Sequence, residues 1–131
     1  MLICNLSQSY FLGWFLQLND GLNFDEIYQL LADMGRAGYI FTRINDANVI
    51  SNSIIINVNL LRALSKKSSS RSPQIYYTSS ARTYPKEIQS SPNNTGLKES
   101  DAYPANPDNE YGWEKLFSER LFAAYSRNYG F

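Results

Sequence analysis

The sequence lacks histidine entirely and contains a single cysteine, Cys4, among its 131 residues. Without histidine the chain has neither the commonest general base nor the commonest metal ligand, so zinc chemistry and Ser-His-Asp catalysis are excluded. One cysteine excludes an internal disulfide and is typical of a reducing compartment. Any acid–base chemistry must therefore come from tyrosine, lysine, carboxylates or Cys4, and no metal site is predicted.

The chain also lacks a net charge, because twelve basic residues balance twelve acidic ones. No extended field is present to hold nucleic acid or an anionic membrane, although a small anionic ligand needs only a few local charges. The apolar run at residues 10–18 is too short to span a bilayer, and no basic residue precedes it as in a signal peptide. With 44% hydrophobic and 18% charged residues, we expect one globular domain in the cytoplasm.

Apolar runs and turn residues divide the first half of the chain into short elements. Residues 1–6 predict a short buried strand and residues 25–31 a second one, after which Gly35 and Gly38 predict a loop. From residue 46 to about 67 apolar side chains recur at helical spacing, although three consecutive isoleucines also suit a strand. The apolar face of this predicted helix comprises Val49, Ile54, Ile56, Leu60, Leu61 and Leu64.

In the second half a serine-rich connector at residues 65–72 precedes a predicted strand at 74–78. Residues 84–108 contain four of the five prolines and predict a long loop, which in compact domains is often functional. A final helix is predicted from about residue 109 to 129, and the alternation of strands and helices predicts an α/β fold with a parallel sheet. The apolar stripe of this helix comprises Leu116, Phe117, Leu121, Ala124 and Tyr125, beside polar Glu114, Lys115, Glu119 and Arg120.

Tyr111 and Lys115 are four residues apart near the start of the last predicted helix, so their side chains share one face. A free tyrosine has a pKa near ~10, and a nearby ammonium lowers this pKa because it favours the phenolate. The pair therefore predicts a proton acceptor for a sugar hydroxyl. The spacing is weak by itself, since an ordinary surface pair of tyrosine and lysine matches it equally well.

The segment Ser79-Ser80-Ala81 follows directly after a predicted apolar strand. The carboxyl ends of strands in an α/β sheet face the ligand crevice, where a hydroxyl group can polarise a substrate oxygen. Alone, the segment is equally typical of a polar turn. A strand followed by Ser-Ser, a long loop and a helical Tyr-x-x-x-Lys is a much less probable coincidence.

The two motifs lie within a longer series of segments. These are Tyr28-Gln29-Leu30-Leu31-Ala32-Asp33-Met34-Gly35, Asn57-Val58-Asn59, Tyr77-Thr78-Ser79-Ser80-Ala81, Tyr84-Pro85, Lys98-Glu99-Ser100-Asp101-Ala102-Tyr103-Pro104-Ala105 and Glu110-Tyr111-Gly112-Trp113-Glu114-Lys115-Leu116. Together they resemble the extended short-chain dehydrogenases of the NAD-dependent epimerase/dehydratase type, and most closely the GDP-mannose 3,5-epimerase branch. The resemblance covers residues 25–131, whereas residues 1–24 diverge.

The resemblance implies a Rossmann-like fold and a sequence of steps on a nucleotide sugar such as GDP-mannose. In the family, NAD oxidises a sugar hydroxyl to a ketone, the neighbouring C–H bonds exchange protons, and the hydride is returned. Carried over to this chain, the resemblance makes Tyr111 the proton acceptor and Lys115 its pKa-lowering partner and ribose ligand. It makes Ser80 the hydroxyl donor.

The resemblance also implies which residues contact the substrate and the cofactor. The substrate-binding residues would be Met34, Gly35, Ser80 and Arg82. The cofactor-binding residues would be Leu31, Ala32, Asn57, Tyr111 and Lys115, with Asn5 at the position of the residue that touches adenine.

The chain departs from the family in its ends. No Gly-rich segment of the G-x-x-G-x-x-G kind is present to cradle the dinucleotide pyrophosphate. If residues 1–6 are the family's third strand, the first two strands are missing, and the sugar-nucleotide domain would follow the last residue. We therefore expect residues 1–131 to form a partial Rossmann-like parallel sheet with flanking helices, lacking the first strands and the C-terminal substrate domain.

Two arginines depart from the family in the predicted site. Arg82 stands where the epimerase branch has an acid–base cysteine, and a guanidinium that stays protonated above pH 12 cannot take a proton from carbon. Arg82 could instead bind an anion or stabilise an enolate. Arg36 replaces a small glycine and would crowd the sugar.

These observations lead to an NAD-dependent nucleotide-sugar epimerase fragment that is inactive alone. Two alternatives stay open. One is a non-catalytic interaction module that forms a homodimer or pairs with a full-length relative, and the other is a fragment of another sugar-nucleotide 4-epimerase or 4,6-dehydratase. In each case the predicted partners are a nucleotide sugar and either a second copy of the chain or a full-length relative. No nucleic acid and no membrane is predicted as a partner.

Overall fold

The computed structural model describes residues 24–35, 37–66, 72–90, 92–93 and 96–131. The strand predicted at residues 1–6 and the predicted roles of Asn5 and Arg36 lie outside the described residues. Within the described part of the chain, strands alternate with helices. The predicted α/β fold is therefore confirmed.

Two short strands form the sheet in the described part of the chain: β1 at Glu26–Gln29 and β2 at Gln74–Tyr77. They pair in parallel, with Ile27 opposite Ile75. A parallel pair needs a crossover connection, which is usually helical, and helices do lie between these two strands. Both strands fall within the ranges that the apolar runs predict.

Four α-helices and two 3₁₀ helices complete the described elements. The α-helices are α1 (Ala37–Phe41), α2 (Asp46–Ser65), α3 (Lys86–Gln89) and α4 (Glu110–Tyr129), and the 3₁₀ helices are Ala81–Thr83 and Glu99–Ala102. Helix α4 begins where the Asn109 side chain accepts a hydrogen bond from the Gly112 N–H (2.9 Å). It ends at Gly130, whose φ of 77° is the left-handed conformation that a glycine tolerates.

Helix α2 packs against the inward face of the sheet and against α4, and it supplies four of the eight buried apolar residues of the described chain. Its Leu60 and Leu64 pack against Ile27 and Ile75 from the inward face of the strands and against Phe122 of α4. On the other face of the sheet, strand alternation directs the next residues outward. There Tyr28 and Tyr76 stack with their ring centroids 4.8 Å apart, and both remain exposed.

Two predicted loops contain helical turns. Gly38, predicted to mark a loop, lies inside α1, because a glycine is tolerated in a short helix even though it disfavours one. The predicted loop at residues 84–108 contains α3 and the second 3₁₀ helix. Proline suits the start of a helical turn, where no backbone N–H is needed, and Pro85 precedes α3 in this way.

The predicted apolar stripe of α4 was only partly right. Leu116 is buried as predicted, but Phe117 is about half exposed (48%), and the polar Glu114 and Lys115 are buried instead. The reason is tertiary, since the first turns of α4 face polar groups of α2 and of the segment after β2 that satisfy its polar side chains. The buried residues of α4 are Tyr111, Gly112, Glu114, Lys115, Leu116 and Ser118.

Candidate functional site

The start of α4 is held by the turn that follows β2. A Cβ atom added at Gly112 would overlap the Arg82 carbonyl oxygen and would lie 2.9 Å from Pro107 Cβ. Only a residue without a side chain allows the helix to come this close to the 3₁₀ turn at Ala81–Thr83. This contact places Tyr111 and Lys115, on either side of Gly112, near the carboxyl end of β2.

Tyr111 is almost entirely covered, with 8% of its surface exposed. It forms a buried apolar cluster with Ile40 of α1 and Val49 of α2. Its hydroxyl donates a hydrogen bond to Met34 Sδ at 3.7 Å. The structure therefore brings together Tyr111 and Met34, which the sequence assigned to the catalytic and sugar-binding groups.

Lys115 is buried beside Tyr111, with 2% of its surface exposed. Its Nζ donates to the Thr78 carbonyl oxygen (3.0 Å) and lies 4.9 Å from the Tyr77 ring centroid and 5.8 Å from the Tyr111 ring centroid. Burial lowers the pKa of the Lys115 ammonium, and the Glu114 charge opposes this shift. The predicted Tyr–Lys pair thus shares one buried face, with the ammonium near the phenol ring.

Asn57 lies in a buried hydrogen-bond network between β1, α2 and α4. Its Oδ1 accepts from Gln29 Nε2 (2.6 Å), and its Nδ2 donates to Ser118 Oγ (2.9 Å) and to Glu114 Oε1 (3.4 Å). Ser118 Oγ also donates to Glu114 Oε1 at 2.7 Å. Asn57 is 1% exposed, so its amide is occupied by protein groups; its predicted role near NAD stays a prediction.

Glu114 is the buried group that the sequence reading missed. No part of it is exposed, and burial raises the pKa of its carboxyl group against the opposing effects of Ser118 and Lys115. Its Oε2 and the nearby Tyr77 hydroxyl have no hydrogen-bond partner among the described residues. Burial, followed by the Glu114 charge, also raises the pKa of Tyr77. The available signal was the helical spacing of Glu114 and Ser118, which places both on the face carrying Tyr111.

Ser80 caps the first 3₁₀ helix. Its Oγ accepts from the Arg82 backbone N–H (3.2 Å), and its carbonyl accepts from the Thr83 hydroxyl (2.9 Å). The neighbouring Ser79 hydroxyl donates to Glu119 Oε1. Ser80 therefore follows the carboxyl end of β2, as predicted, and within the described ranges its hydroxyl is not seen to donate to a protein acceptor.

The Arg82 side chain contacts protein groups on two sides. Its NH1 forms an ion pair with Asp108 Oδ2 at 2.7 Å, and its guanidinium carbon lies 4.8 Å from the Phe41 ring centroid. Asp108 therefore compensates the positive charge of Arg82, the residue that the sequence analysis offered as a contact for an anion. Neither Asp108 nor Phe41 had a signal in the sequence, because nothing in spacing alone connects them to Arg82.

The predicted cofactor and sugar loop follows β1. Leu31 is about half exposed and Ala32 is half-buried, while the Asp33 N–H donates to Ser53 Oγ of α2 at 2.9 Å. Gly35 lies against Tyr39, since an added Cβ would come within 2.5 Å of the Tyr39 Cβ and Cγ atoms. This segment is thus held to α2 by a hydrogen bond, and it reaches the site from the carboxyl end of β1.

Within the described ranges, no group of three or more histidine, cysteine, aspartate and glutamate side chains could hold a metal ion. The same part of the chain contains no helix that is long and apolar enough to span a membrane.

Comparison with protein families gives a match over most of the chain. The model of the NAD dependent epimerase/dehydratase family matches residues 15–131. The GDP-mannose 3,5-epimerase of Arabidopsis thaliana is 36% identical over 115 residues, which are 88% of this chain and 29% of the relative. GDP-mannose 3,5-epimerase 1 of Oryza sativa subsp. japonica is 37% identical over 115 residues, 88% of this chain and 28% of the relative. The chain thus spans less than a third of the length of these curated relatives.

Solved structures show the same fold. The UDP-glucose 4-epimerase of Thermus thermophilus, crystallised with NAD, superposes with a TM-score of 0.68 at 16% identity, covering 97% of this chain and 36% of that chain. Pal from Bacillus thuringiensis superposes with a TM-score of 0.71 at 23% identity, again covering 97% of this chain and 36% of that chain. At these identities the likeness concerns the fold alone.

Proposed function

The chain belongs to the NAD dependent epimerase/dehydratase family, and we propose that it carries the proton-transfer part of a site like that of GDP-mannose 3,5-epimerase. The observation that carries this proposal is the buried pair on α4, where the Lys115 ammonium lies 5.8 Å from the Tyr111 ring centroid. A cation at this distance stabilises a phenolate more than a phenol. The proposed substrate class is a nucleotide sugar such as GDP-mannose.

In this proposal each residue acts through its own atoms. The phenolate oxygen of Tyr111 accepts a proton from a sugar hydroxyl, and the positive charge of Lys115 stabilises that phenolate before the transfer. Ser80 Oγ, held by the Arg82 N–H, keeps a hydrogen to donate to a substrate oxygen. Met34 gives up its hydrogen bond with Tyr111 when the substrate hydroxyl takes its place.

We further propose that the chain alone does not bind NAD, which in the family accepts and returns the hydride. The cofactor-facing set would be Leu31, Ala32, Asn57, Tyr111 and Lys115. Asn57 directs its amide to Gln29, Ser118 and Glu114, and Lys115 directs its ammonium to the Thr78 carbonyl. These donors do not fit a cofactor without rearrangement, and the sequence has no Gly-rich cradle for the pyrophosphate.

The proposed sugar-binding group is Met34, Gly35, Ser80 and Arg82. Because Asp108 neutralises Arg82, we do not expect this arginine to attract the diphosphate strongly. Since Arg82 cannot act as an acid or base at neutral pH, a 4-epimerase or 4,6-dehydratase relationship remains the alternative within the family.

The test is a titration of the purified chain with NAD, followed by an assay with GDP-mannose. We expect no saturable binding and no turnover. Turnover that disappears on Tyr111→Phe, but persists on Tyr103→Phe at an exposed position, would show that the chain is active alone. Saturable binding of NAD would contradict the proposal about the cofactor separately from the proposal about turnover.

A second candidate function is pairing through α4. Trp113 and Phe117 lie one helical turn apart on this helix, and both remain substantially exposed, at 40% and 48%. Apolar side chains grouped on one helix face are typical of helix–helix interfaces. We propose that this face contacts a second copy of the chain or a full-length relative.

Light scattering on the purified chain tests whether two copies pair with each other. Co-purification tests whether the chain pairs with a full-length relative. We expect Phe117→Asp to abolish either association, while Arg127→Asp near the far end of α4 leaves it intact. A chain that is monomeric at all concentrations and retains no full-length relative would exclude this function.

We also propose a cytoplasmic location, consistent with the single cysteine, and fractionation of cells that express the chain tests it.

A further inference from the structure

Arg82 connects three parts of the molecule that approach Tyr111 from different directions. It belongs to the 3₁₀ turn after β2, it pairs with Asp108 before the start of α4, and its guanidinium stacks on Phe41 at the end of α1. Asp108 immediately precedes Asn109, which caps α4. The arginine therefore joins α1 to the N-terminal end of α4.

The residue next to Phe41 in α1 is Ile40, which belongs to the same buried apolar cluster as Tyr111 and Val49. Ile40 itself is buried at 7% exposure, and Tyr111 at 8%. Any movement of α1 away from α4 would uncover one side of the Tyr111 ring. The Arg82 contacts oppose that movement, because they hold Phe41 and Asp108 to the same guanidinium.

The chemistry of both contacts requires an arginine. A planar guanidinium can lie flat on an aromatic ring while one of its edges donates to a carboxylate, whereas a lysine ammonium offers only a point charge. The Arg82 and Asp108 side chains are 40% and 31% exposed, so the ion pair is weakened by salt. The cation–π contact adds to the pair at the same group.

We propose that Arg82 is a positioning residue that holds α1 over Tyr111 and thereby controls access to the Tyr111 hydroxyl. The contacts of Phe41, Arg82 and Asp108 form a clamp, and its release is required before a ligand reaches that hydroxyl. The clamp concerns access to one side chain. It therefore stands or falls independently of NAD binding and of turnover.

The experiment measures nitration of individual tyrosines in the intact chain by tetranitromethane, with each peptide quantified by mass spectrometry. Tyr129, half exposed at the far end of α4, is the internal reference. Arg82→Met retains the unbranched stem and removes the charge, and we expect it to raise the nitration of Tyr111 relative to Tyr129 about fivefold. Arg82→Lys restores the charge opposite Asp108 without the planar stacking, so its increase is smaller.

Arg120→Met is the matched control, because Arg120 donates to the Tyr103 hydroxyl on the exposed side of α4 and does not join α1. It leaves the ratio for Tyr111 unchanged. An unchanged ratio in Arg82→Met overturns the proposal. So does an equal increase in Arg120→Met.

If Arg82→Met raises the reactivity of every tyrosine because the chain unfolds, the wild-type chain decides the question. Raising the salt concentration from about 0.05 M to about 1 M shortens the screening length to roughly 3 Å and weakens the exposed ion pair. A rise in the nitration of Tyr111 relative to Tyr129 supports the clamp. If the ratio of Tyr111 to Tyr129 nitration does not change with salt, the clamp is overturned. That result would indicate a purely apolar cover over Tyr111, which added salt does not loosen.

Discussion

Glu114 and Lys115 are consecutive, oppositely charged residues that are both buried in α4. Burial disfavours the charged form of each, so it raises the pKa of the carboxyl group and lowers that of the ammonium. Each also favours the charge of the other. Because Lys115 is proposed to stabilise the Tyr111 phenolate, the protonation of Glu114 bears on the whole proposed site.

Glu114→Gln tests the protonation of this buried carboxyl group. Because its pKa is raised in the folded chain, the folded state binds this proton more tightly than the unfolded state. The resulting stabilisation is present below the unfolded pKa and is lost as the pH rises through the folded pKa. Glutamine keeps an oxygen acceptor and carries no charge, so we expect it to stabilise the chain by about 1 kcal/mol at pH 8 and much less at pH 4.

Urea denaturation of the wild-type chain and of Glu114→Gln at several pH values measures this difference. Glu99→Gln, at an exposed position of a 3₁₀ helix, is the control and should show no comparable pH dependence. If Glu114→Gln destabilises the chain most at pH 8, the carboxylate is charged in the folded state and acts as the countercharge of Lys115.

At the scale of elements, α4 is placed by its first turn. The Asn109 cap sets where the helix begins, and Gly112 allows the helix to lie against the Arg82 carbonyl. Helix propensity would favour a larger residue than glycine at this position. Here the close packing of α4 against the 3₁₀ turn requires glycine despite its low helix propensity. The same packing places Tyr111 and Lys115 in the site.

The two helical glycines of the described chain provide a matched comparison. An added methyl group at Gly112 of α4 would overlap the Arg82 carbonyl and crowd Pro107, whereas one at Gly38 of α1 would meet no atom within 4 Å. We expect Gly112→Ala to lower the free energy of unfolding by roughly 2 kcal/mol. Gly38→Ala should be neutral or stabilising by up to about 1 kcal/mol.

Chemical denaturation measures both glycine variants. Equal effects of the two substitutions would mean that the approach of α4 to the 3₁₀ turn relaxes without cost. Circular dichroism should also show that Gly112→Ala retains the helix content of α4, since the substitution affects packing rather than helix formation.

At the scale of the whole molecule, the described core is one-sided. Helix α2 packs against α4 and against the inward face of the strands, with Leu61 fully buried. The outward face carries the exposed pair Tyr28 and Tyr76. Stability of the described part therefore depends mainly on the single layer of contacts around α2.

Leu61→Ala tests this dependence. Removing a fully buried leucine leaves a cavity, and we expect the free energy of unfolding to fall by about 3 kcal/mol. Ile55→Ala, in the same helix but about half exposed, should cost less than about 1 kcal/mol. Thermal or urea denaturation distinguishes them, and similar losses at both positions would indicate that another surface covers Ile55.

The sequence predicted the two strands and the two long helices because each carries a local pattern. Alternating or continuous apolar residues predicted β1 and β2, and helical spacing predicted α2 and α4. The short helices inside predicted loops were missed, since a few residues of helix carry too little periodicity to detect. The buried face of α4 was mispredicted in part, because Glu114 and Phe117 take their environments from the rest of the fold.

The sequence by itself determined the α/β class, the family and the spacing of Tyr111 and Lys115, since these depend on local patterns and on motifs read in order. Tertiary structure alone decided the surroundings of that pair. It joined Asn57 to Glu114 across 57 positions and Arg82 to Asp108 across 26. Partners so distant in the chain have no spacing rule, and only folding sets the burial, charge compensation and cover that determine what the tyrosine can do.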